Sequence, residues 1–281
     1  WSSSPDGTPS CQDGGGARYC SLTDCIVRDN VAADEGGGVS NCRMMRCSIY
    51  GNEARNGGGI KSGNVTACRI YGNRAERSGG GVWQGVLHSC LISGNEAGTG
   101  VYAAYGRGGG ADWANLYNCT VVSNAATASG GGAYWTEMRN CVVWGNTAPT
   151  NRNWDDALCT LEHSCTLPLP PGDGNITNAP AFVDAAGGDY RLGSQSPCID
   201  AGWYGTVATT VDLDGHPRFM FSAVDMGAYE WVVSTNDYDG DGMDNDEEEV
   251  ADTDATDPAS LLALTGIAAA SNGMDVAWIG G

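Results

Sequence analysis

The densest run of chemically capable residues lies between Asp237 and Glu248 and reads D-Y-D-G-D-G-M-D-N-D-E-E. Asp237, Asp239, Asp241, Asn245 and Glu248 would present side-chain oxygens and Met243 its carbonyl. Gly242 would make the sharp turn that lets one loop surround an ion. All the donors are hard oxygens, so the expected cofactor is Ca2+. Asp252, Asp254 and Asp257, followed by Pro258, offer a second calcium position. The alternative reading of the stretch is a solvated acidic linker.

No comparable set exists for covalent or acid–base chemistry. β-Elimination on a polysaccharide would need bound calcium or another neutralising cation beside a basic Arg or Lys in a groove. Here Arg28, Lys61, Arg69 and the acidic Asp112 are scattered along the chain, and no pair of carboxylates recurs on one face to indicate glycoside hydrolysis. Catalytic residues therefore stay unassigned and the residues leave open whether the chain is an enzyme, leaning against it, with polysaccharide lyase as the activity to expect if it is one.

Binding has better material. Trp83, Trp113, Tyr134 and Trp135 each stand four or five places after the start of a glycine triplet, and would form an exposed aromatic strip on which sugar faces stack. A second strip, Tyr50, Tyr71 and Trp144, stands three places after a repeated cysteine, next to a long loop carrying Tyr102 and Tyr105. The alternative is that stacked aromatics only tie neighbouring coils together.

These strips depend on a repeat that positions them. Cysteine, any residue, Ile or Val, two residues, asparagine recurs at Cys25–Asn30, Cys47–Asn52, Cys68–Asn73, Cys90–Asn95, Cys119–Asn124 and Cys141–Asn146, with cysteine spacings of 22, 21, 22, 29 and 22. A glycine triplet starts 11 residues before each of these cysteines, at Gly14, Gly36, Gly57, Gly79, Gly108 and Gly130. The fourth coil carries seven extra residues within Glu96–Arg107, which predicts a surface loop. Side-chain alternation places each cysteine and the aliphatic two residues later on one inward face. Two more inward positions precede them: Leu22, Met44, Val65, Leu87, Leu116 or Met138, and Ala17, Val39, Ile60, Val82, Ala111 or Ala133.

Strands of three to five residues bury such a pattern only by stacking, each coil about 4.8 Å above the last. The expected fold is all-β, a right-handed parallel β-helix of about 22 residues per coil with a short calcium-binding tail. Leucine-rich repeats would need leucine at nearly every inward position and a helical return, and a propeller blade would need about 40 residues. The repeated asparagines would hydrogen-bond from coil to coil as a ladder. The cysteines from Cys25 to Cys141 read as small apolar free thiols in file, with Cys165 continuing the file because His163-Ser164-Cys165 echoes His88-Ser89-Cys90. His88 and His163 would then share a coil position, as ordinary surface residues. Cys20 and Cys42 share another, five before the ladder cysteine, and are the disulfide candidates.

Composition narrows the partners. With 34 acidic and 14 basic residues the net charge is -20, which repels nucleic acid and anionic membranes. No apolar run reaches the roughly 18 residues of a membrane span. Twelve cysteines without zinc-module spacing fit an oxidising compartment.

After residue 149 the period fails. There follow Pro180-Ala181-Phe182-Val183-Asp184, Gly188-Asp189-Tyr190-Arg191-Leu192, Ser196-Pro197-Cys198-Ile199-Asp200-Ala201-Gly202, Asp212-Leu213-Asp214-Gly215 with Pro217-Arg218, and Val224-Asp225-Met226-Gly227-Ala228-Tyr229-Glu230. This series resembles the end of the bacterial choice-of-anchor Q β-helix proteins of the pectin-lyase-like superfamily, over about residues 10–232. The resemblance implies the β-helix fold and a bacterial, extracellular or cell-surface location. It leaves activity open, because similar β-helices include lyases, hydrolases, adhesins and structural proteins. The acidic run from Asp237 is similar to an EF-hand loop, and its continuation to thrombospondin type 3 calcium segments.

The expected organisation is a β-helix over residues 1–232, with residues 149–232 as a cap in which Phe182, Tyr190, Leu192, Ile199 and Tyr229 cover the open end of the core. An acidic calcium segment follows over residues 233–258 and an apolar, strand-forming tail over residues 259–281. Trp1 leads almost directly into a coil and the tail is too short to fold alone, so both ends read as cut from a longer chain or completed by neighbouring copies. The expected function is adhesion, glycan binding or surface structure, with a polysaccharide or cell-surface glycan, or copies of itself, as partner. The alternatives are a polysaccharide-degrading enzyme, of lyase or glycoside hydrolase type, and a subunit of a head-to-tail filament or layer.

Overall fold

The computed structural model describes residues 13–220, 222–232, 263–270 and 273–279, and the chain divides into two units after Glu230. The expected calcium ligands from Asp237 to Asp257 lie outside the described residues. In the second unit Ala263–Ala270 and Gly273–Ile279 pair antiparallel.

The first unit is a right-handed parallel β-helix of about seven turns with about 22 residues per coil. Each regular coil lays one short strand in each of up to three parallel sheets. The first sheet stacks Ala17–Arg18, Val39–Met45, Ile60–Thr66, Val82–His88, Ala111–Tyr117, Glu137–Arg139 and Thr160–Glu162. The second runs from Ile26–Arg28 through Ser48–Tyr50, Arg69–Tyr71, Leu91–Ser93, Thr120–Val122 and Val142–Trp144 to Cys165–Thr166, and the third runs from Glu53–Asn56 to Ala125–Ala126.

Register follows chemistry. Met44, Val65, Leu87, Leu116, Met138 and Leu161 face one another in file, as do Ile49, Ile70, Ile92, Val121 and Val143, and all are buried. The four expected inward positions hold. A fifth, seven residues after the ladder cysteine, is alanine in each coil: Ala32, Ala54, Ala75, Ala97 and Ala126, all buried in or beside the third sheet.

The asparagine ladder is continuous. Asn30, Asn52, Asn73, Asn95 and Asn124 each donate Nδ2–H to the Oδ1 of the next asparagine, at 2.8 to 2.9 Å. From Asn52 onward each also donates to a carbonyl of the preceding coil, as Asn95 does to Ile70 at 2.9 Å. Asn153 ends the run, taking the Asn146 amide on its Oδ1 and donating to the Leu167 carbonyl. In the cysteine file each thiol donates to a carbonyl two residues back, from Cys47 to Met45 at 3.2 Å and from Cys90 to His88 at 3.2 Å. Burial raises the Cys90 and Cys141 thiols well above the ordinary range, so they stay protonated.

The triplets earn their glycines by close approach: a Cβ on Gly38 would stand 2.7 Å from the Gly59 carbonyl oxygen. Two further bends use the left-handed region with ordinary residues. One contains Asp24, Arg46, Ala67, Ser89, Asn118, Asn140 and His163, the other Tyr19, Asn41, Ser62, Gln84, Trp113 and Trp135. The amides of the first bend stay satisfied, as Ala67 N–H does on the His88 carbonyl, which offsets the cost of the conformation.

Three expectations are corrected. Cys165 does not continue the cysteine file: it pairs in register with Val142, and the Ser164 hydroxyl takes the file position, accepting the Cys141 amide at 3.0 Å. With Ser164 at the cysteine position, His163 falls in the left-handed bend beside Asn140 while Glu162 faces Arg139, and His88 stacks on Tyr117. His88 and His163 therefore do not share a position.

Residues 198–230, in turn, run back along the flank of the solenoid. Leu213, Ala228 and Tyr229 pack with Leu91 and Val122, second-sheet positions that would otherwise face water, with Phe182, Tyr190 and Trp144 beside them. Phe182, Tyr190 and Tyr229 thus cover a side of the β-helix, not the open end. Polar contacts pin the strap coil by coil: Arg69 to Asp214 at 2.8 Å, Arg218 to Ser89 at 3.1 Å, the Ala228 amide to Thr120 Oγ1 at 2.9 Å and the Gly227 amide to the Asn140 carbonyl at 2.8 Å. Arg218 is fully buried, and its guanidinium meets the Glu230 carboxylate at 2.7 Å.

Candidate functional site

The first sheet carries the site. Four residues after each triplet begins, Lys61, Trp83, Asp112 and Tyr134 lie in register on successive coils. One residue later comes the left-handed bend, which tips Trp113 and Trp135 outward. Their rings lie 4.2 Å apart at 34°, and they remain 50% and 47% exposed, so one platform is shared by two coils. The Arg107 guanidinium stands 5.0 Å from the Tyr134 ring and the Lys61 ammonium 5.8 Å from the Trp83 ring.

All four expected ligand-binding residues, Trp83, Trp113, Tyr134 and Trp135, line one cleft of about 320 Å³. Arg77, Ser78, Tyr105, Arg107 and Asp112 line it too, and these five were not expected there. Tyr105 comes from the seven-residue insertion, folded as a 3-10 turn over Gly100–Tyr105. The loop thus walls the first aromatic strip; of its other aromatics, Tyr102 lies against Arg55. Of the second strip, Tyr50 and Tyr71 stack at 4.7 Å, while Trp144 packs under the strap.

Asp112 sits deep in this cleft, 3% exposed. It takes hydrogen bonds from Ser78 and the Trp113 amide, and its Oδ1 has no partner. Burial is the chief cause that pushes its carboxyl up to about 7, against the pull of the Ser78 hydrogen bond and the nearby Arg107.

The basic residues divide in a telling way. Ten of the fourteen lysines and arginines hold an ion pair: Arg18, Arg28, Arg46, Arg55, Lys61, Arg69, Arg74, Arg139, Arg191 and Arg218. Arg43, Arg77, Arg107 and Arg152 hold none among the described residues. Arg77 and Arg107 line the aromatic cleft, and Arg43 lines an adjoining one of about 540 Å³. Trp113 belongs to both, and Asn41, Ser62, Asn64 and Asn115 supply the second with polar groups over a floor of Gly63 and Gly85.

Cys20 and Cys42 face each other on the first two coils with sulfurs 3.2 Å apart, both as thiols. Among the described residues no group of three His, Cys, Asp or Glu side chains is arranged to hold a metal ion, and no helix is long and apolar enough to cross a membrane.

No protein-family model and no curated protein matches the chain. Among solved structures it is similar to the crystal structure of pectate lyase Pel9A, at 12% sequence identity and a TM-score of 0.45, over 78% of this chain and 69% of that one.

Proposed function

We propose that the first unit binds an acidic polysaccharide along the joined clefts of its first sheet. The observation that carries this reading is the placement of Arg77, Arg107 and Arg43, which hold no ion pair among the described residues of a chain of net charge -20, around the stacked Trp113 and Trp135. A sugar ring stacks on indole through its C–H face, while guanidinium groups take carboxylate or sulfate oxygens in bidentate pairs. A neutral glycan would use the platform and leave the arginines idle. The test is calorimetric titration with alginate, polygalacturonate and hyaluronan oligosaccharides against their carboxyl-reduced forms. Trp113→Ala and Arg107→Ala should each weaken binding of an acidic oligosaccharide about tenfold or more, and equal affinity for acidic and reduced forms would reject the reading.

Cleavage of the bound chain is the second reading, supported by Asp112, a cleft-lining carboxyl poised to change protonation near neutrality. A scan of the same polymers for new unsaturated ends by absorbance, and for new reducing ends, checks it. The reading includes an extracellular or cell-surface, calcium-binding role in adhesion or surface structure. Its support is sequence pattern alone, Asp237 to Glu248 for calcium and the cysteine usage for the compartment. Calorimetry with Ca2+ on the full chain and on Asp239→Asn with Glu248→Gln tests the ion; identical heats would remove calcium from the proposal.

A further inference from the structure

The buried carboxyl of Asp112 is the one acidic group lining a cleft whose other charges are Arg77 and Arg107. A carboxyl that is 3% exposed, keeps one oxygen unpartnered and still lines a ligand-sized cavity is incomplete on its own terms. Buried polar atoms ordinarily find a partner, and this oxygen, closed off from solvent, has none, so its surroundings serve the ionised form poorly. The titratable and charged groups around it can be named. Arg77 belongs to the third-sheet strand Arg74–Ser78, Arg107 precedes the next triplet, and Cys159 approaches from the coil behind. Lys61, in the same column two coils away, is already held by Glu35 at 2.6 Å, and Asp155 by the Ser129 hydroxyl at 2.8 Å.

We propose that Asp112 is the charge-selectivity residue of the cleft. Protonated, it leaves Arg77 and Arg107 unopposed for a bound acidic sugar; ionised, it repels that sugar and offsets the field of both arginines. This rests on the reading of the cleft as an acidic-glycan site and adds to it a pH at which the site lets go. The proton moves between Asp112 and solvent, so no other reactant is needed. The direction follows from linkage: a ligand taken only by the protonated form raises proton binding, so its affinity falls as pH rises through the midpoint. With that midpoint at about 7, affinity falls about tenfold between pH 6 and pH 8. At pH 6 the two guanidinium groups face a neutral acid and the cleft is net cationic. At pH 8 the added negative charge, in a poorly hydrated position, acts on both.

The experiment measures affinity for alginate, polygalacturonate and hyaluronan oligosaccharides at pH 5.5 to 8.5, with wild-type protein, Asp112→Asn and Asp112→Ser. The wild type should lose about tenfold from pH 6 to pH 8, whereas both variants, uncharged throughout, should show a flat profile. Carboxyl-reduced oligosaccharides, lacking the charge, should show a much smaller pH dependence with the wild type. If the variants bind with the wild-type pH slope, the role of Asp112 is overturned while the binding site stands. If no acidic oligosaccharide binds any of the three proteins at pH 5.5, the glycan reading fails and the selectivity proposal fails with it.

Discussion

Asn95 donates its Nδ2–H to the Oδ1 of Asn124 at 2.9 Å across 29 residues of sequence, the same bond that joins Asn73 to Asn95 across 22. The inserted loop between them leaves the ladder geometry untouched. Stacking register is therefore set inside the solenoid by the amides, and the surface loops carry whatever length the function asks for.

The ladder should be costly to interrupt. Asn95→Ala strips the acceptor from both the Asn73 amide and its backbone N–H, and the donor from Ile70 and Asn124. Leaving several buried groups unsatisfied should cost roughly 3 kcal/mol or more, read by chemical denaturation. An unchanged midpoint would show that the ladder is ornamental.

The loop should be cheap by comparison. Replacing residues 99–105 with a short glycine–serine connection removes Tyr105 from the cleft wall and keeps Arg107. Thermal stability should move by less than about 1 kcal/mol, because long surface loops close at little extra entropic cost. Affinity for acidic oligosaccharide should fall several-fold.

Two buried carboxyls give the chain a pH signature. Burial pushes Asp112 up to about 7 and also raises Glu230, against the pull of the Arg218 guanidinium that meets it at 2.7 Å. Their unfolded values are near 4, so the folded chain holds more protons across the interval between, and stability falls as pH rises from about 4 to 8. The melting temperature should decline over that range in the wild type. Asp112→Asn should flatten the decline, gaining up to about 4 kcal/mol at pH 7.5. A melting curve that rises over the same range would contradict the burial of both groups.

Arg218 is the matching test of the strap. Arg218→Met keeps much of the side-chain volume but leaves the Glu230 carboxyl without its cation and Ser89 without its donor. Breaking one side of such a buried pair typically costs about 3–5 kcal/mol, measurable as a lower urea midpoint. The double variant Arg218→Met with Glu230→Leu should recover a large part of it.

Cys20 and Cys42 stand directly opposite across the first two coils. Oxidation should join them, lowering the intact mass by two hydrogens and stabilising the first coil by about 3 kcal/mol in the loop-closure account. Cys47 and Cys90, buried in the file, should remain open to alkylation only after unfolding. A mass identical before and after reduction would exclude the bond.

Much of this architecture is legible in the residues because it is periodic. Cys25 to Cys141 and Asn30 to Asn146 repeat in every coil, and a pattern written six times cannot be mistaken for local preference. The alanines from Ala32 to Ala126 repeat just as faithfully, but alanine carries too weak a hydrophobic signal to mark a buried face by itself. Cys165 misleads because the file position falls on Ser164, one residue before it, and in a period-two structure an offset of one residue is the opposite face.

The candidate site is legible only in half. Trp83, Trp113, Tyr134 and Trp135 share coil positions and announce themselves. Asp112 occurs once in its column, Arg77 stands two residues before a triplet and Arg107 one before, so no spacing rule gathers them. They meet because the third sheet runs into the first through the triplet bend, placing Ser78, Arg107 and Ser129 in neighbouring bridges beside the column of Asp112.

The strap also orders events in time. A ribosome delivers the residues that will cover Leu91, Thr120, Val122 and Val142 only after the whole solenoid has emerged, roughly a hundred residues later than Thr120 in the case of Ala228. Until then the nascent chain holds a stacked but unlatched cylinder with a greasy stripe open to solvent.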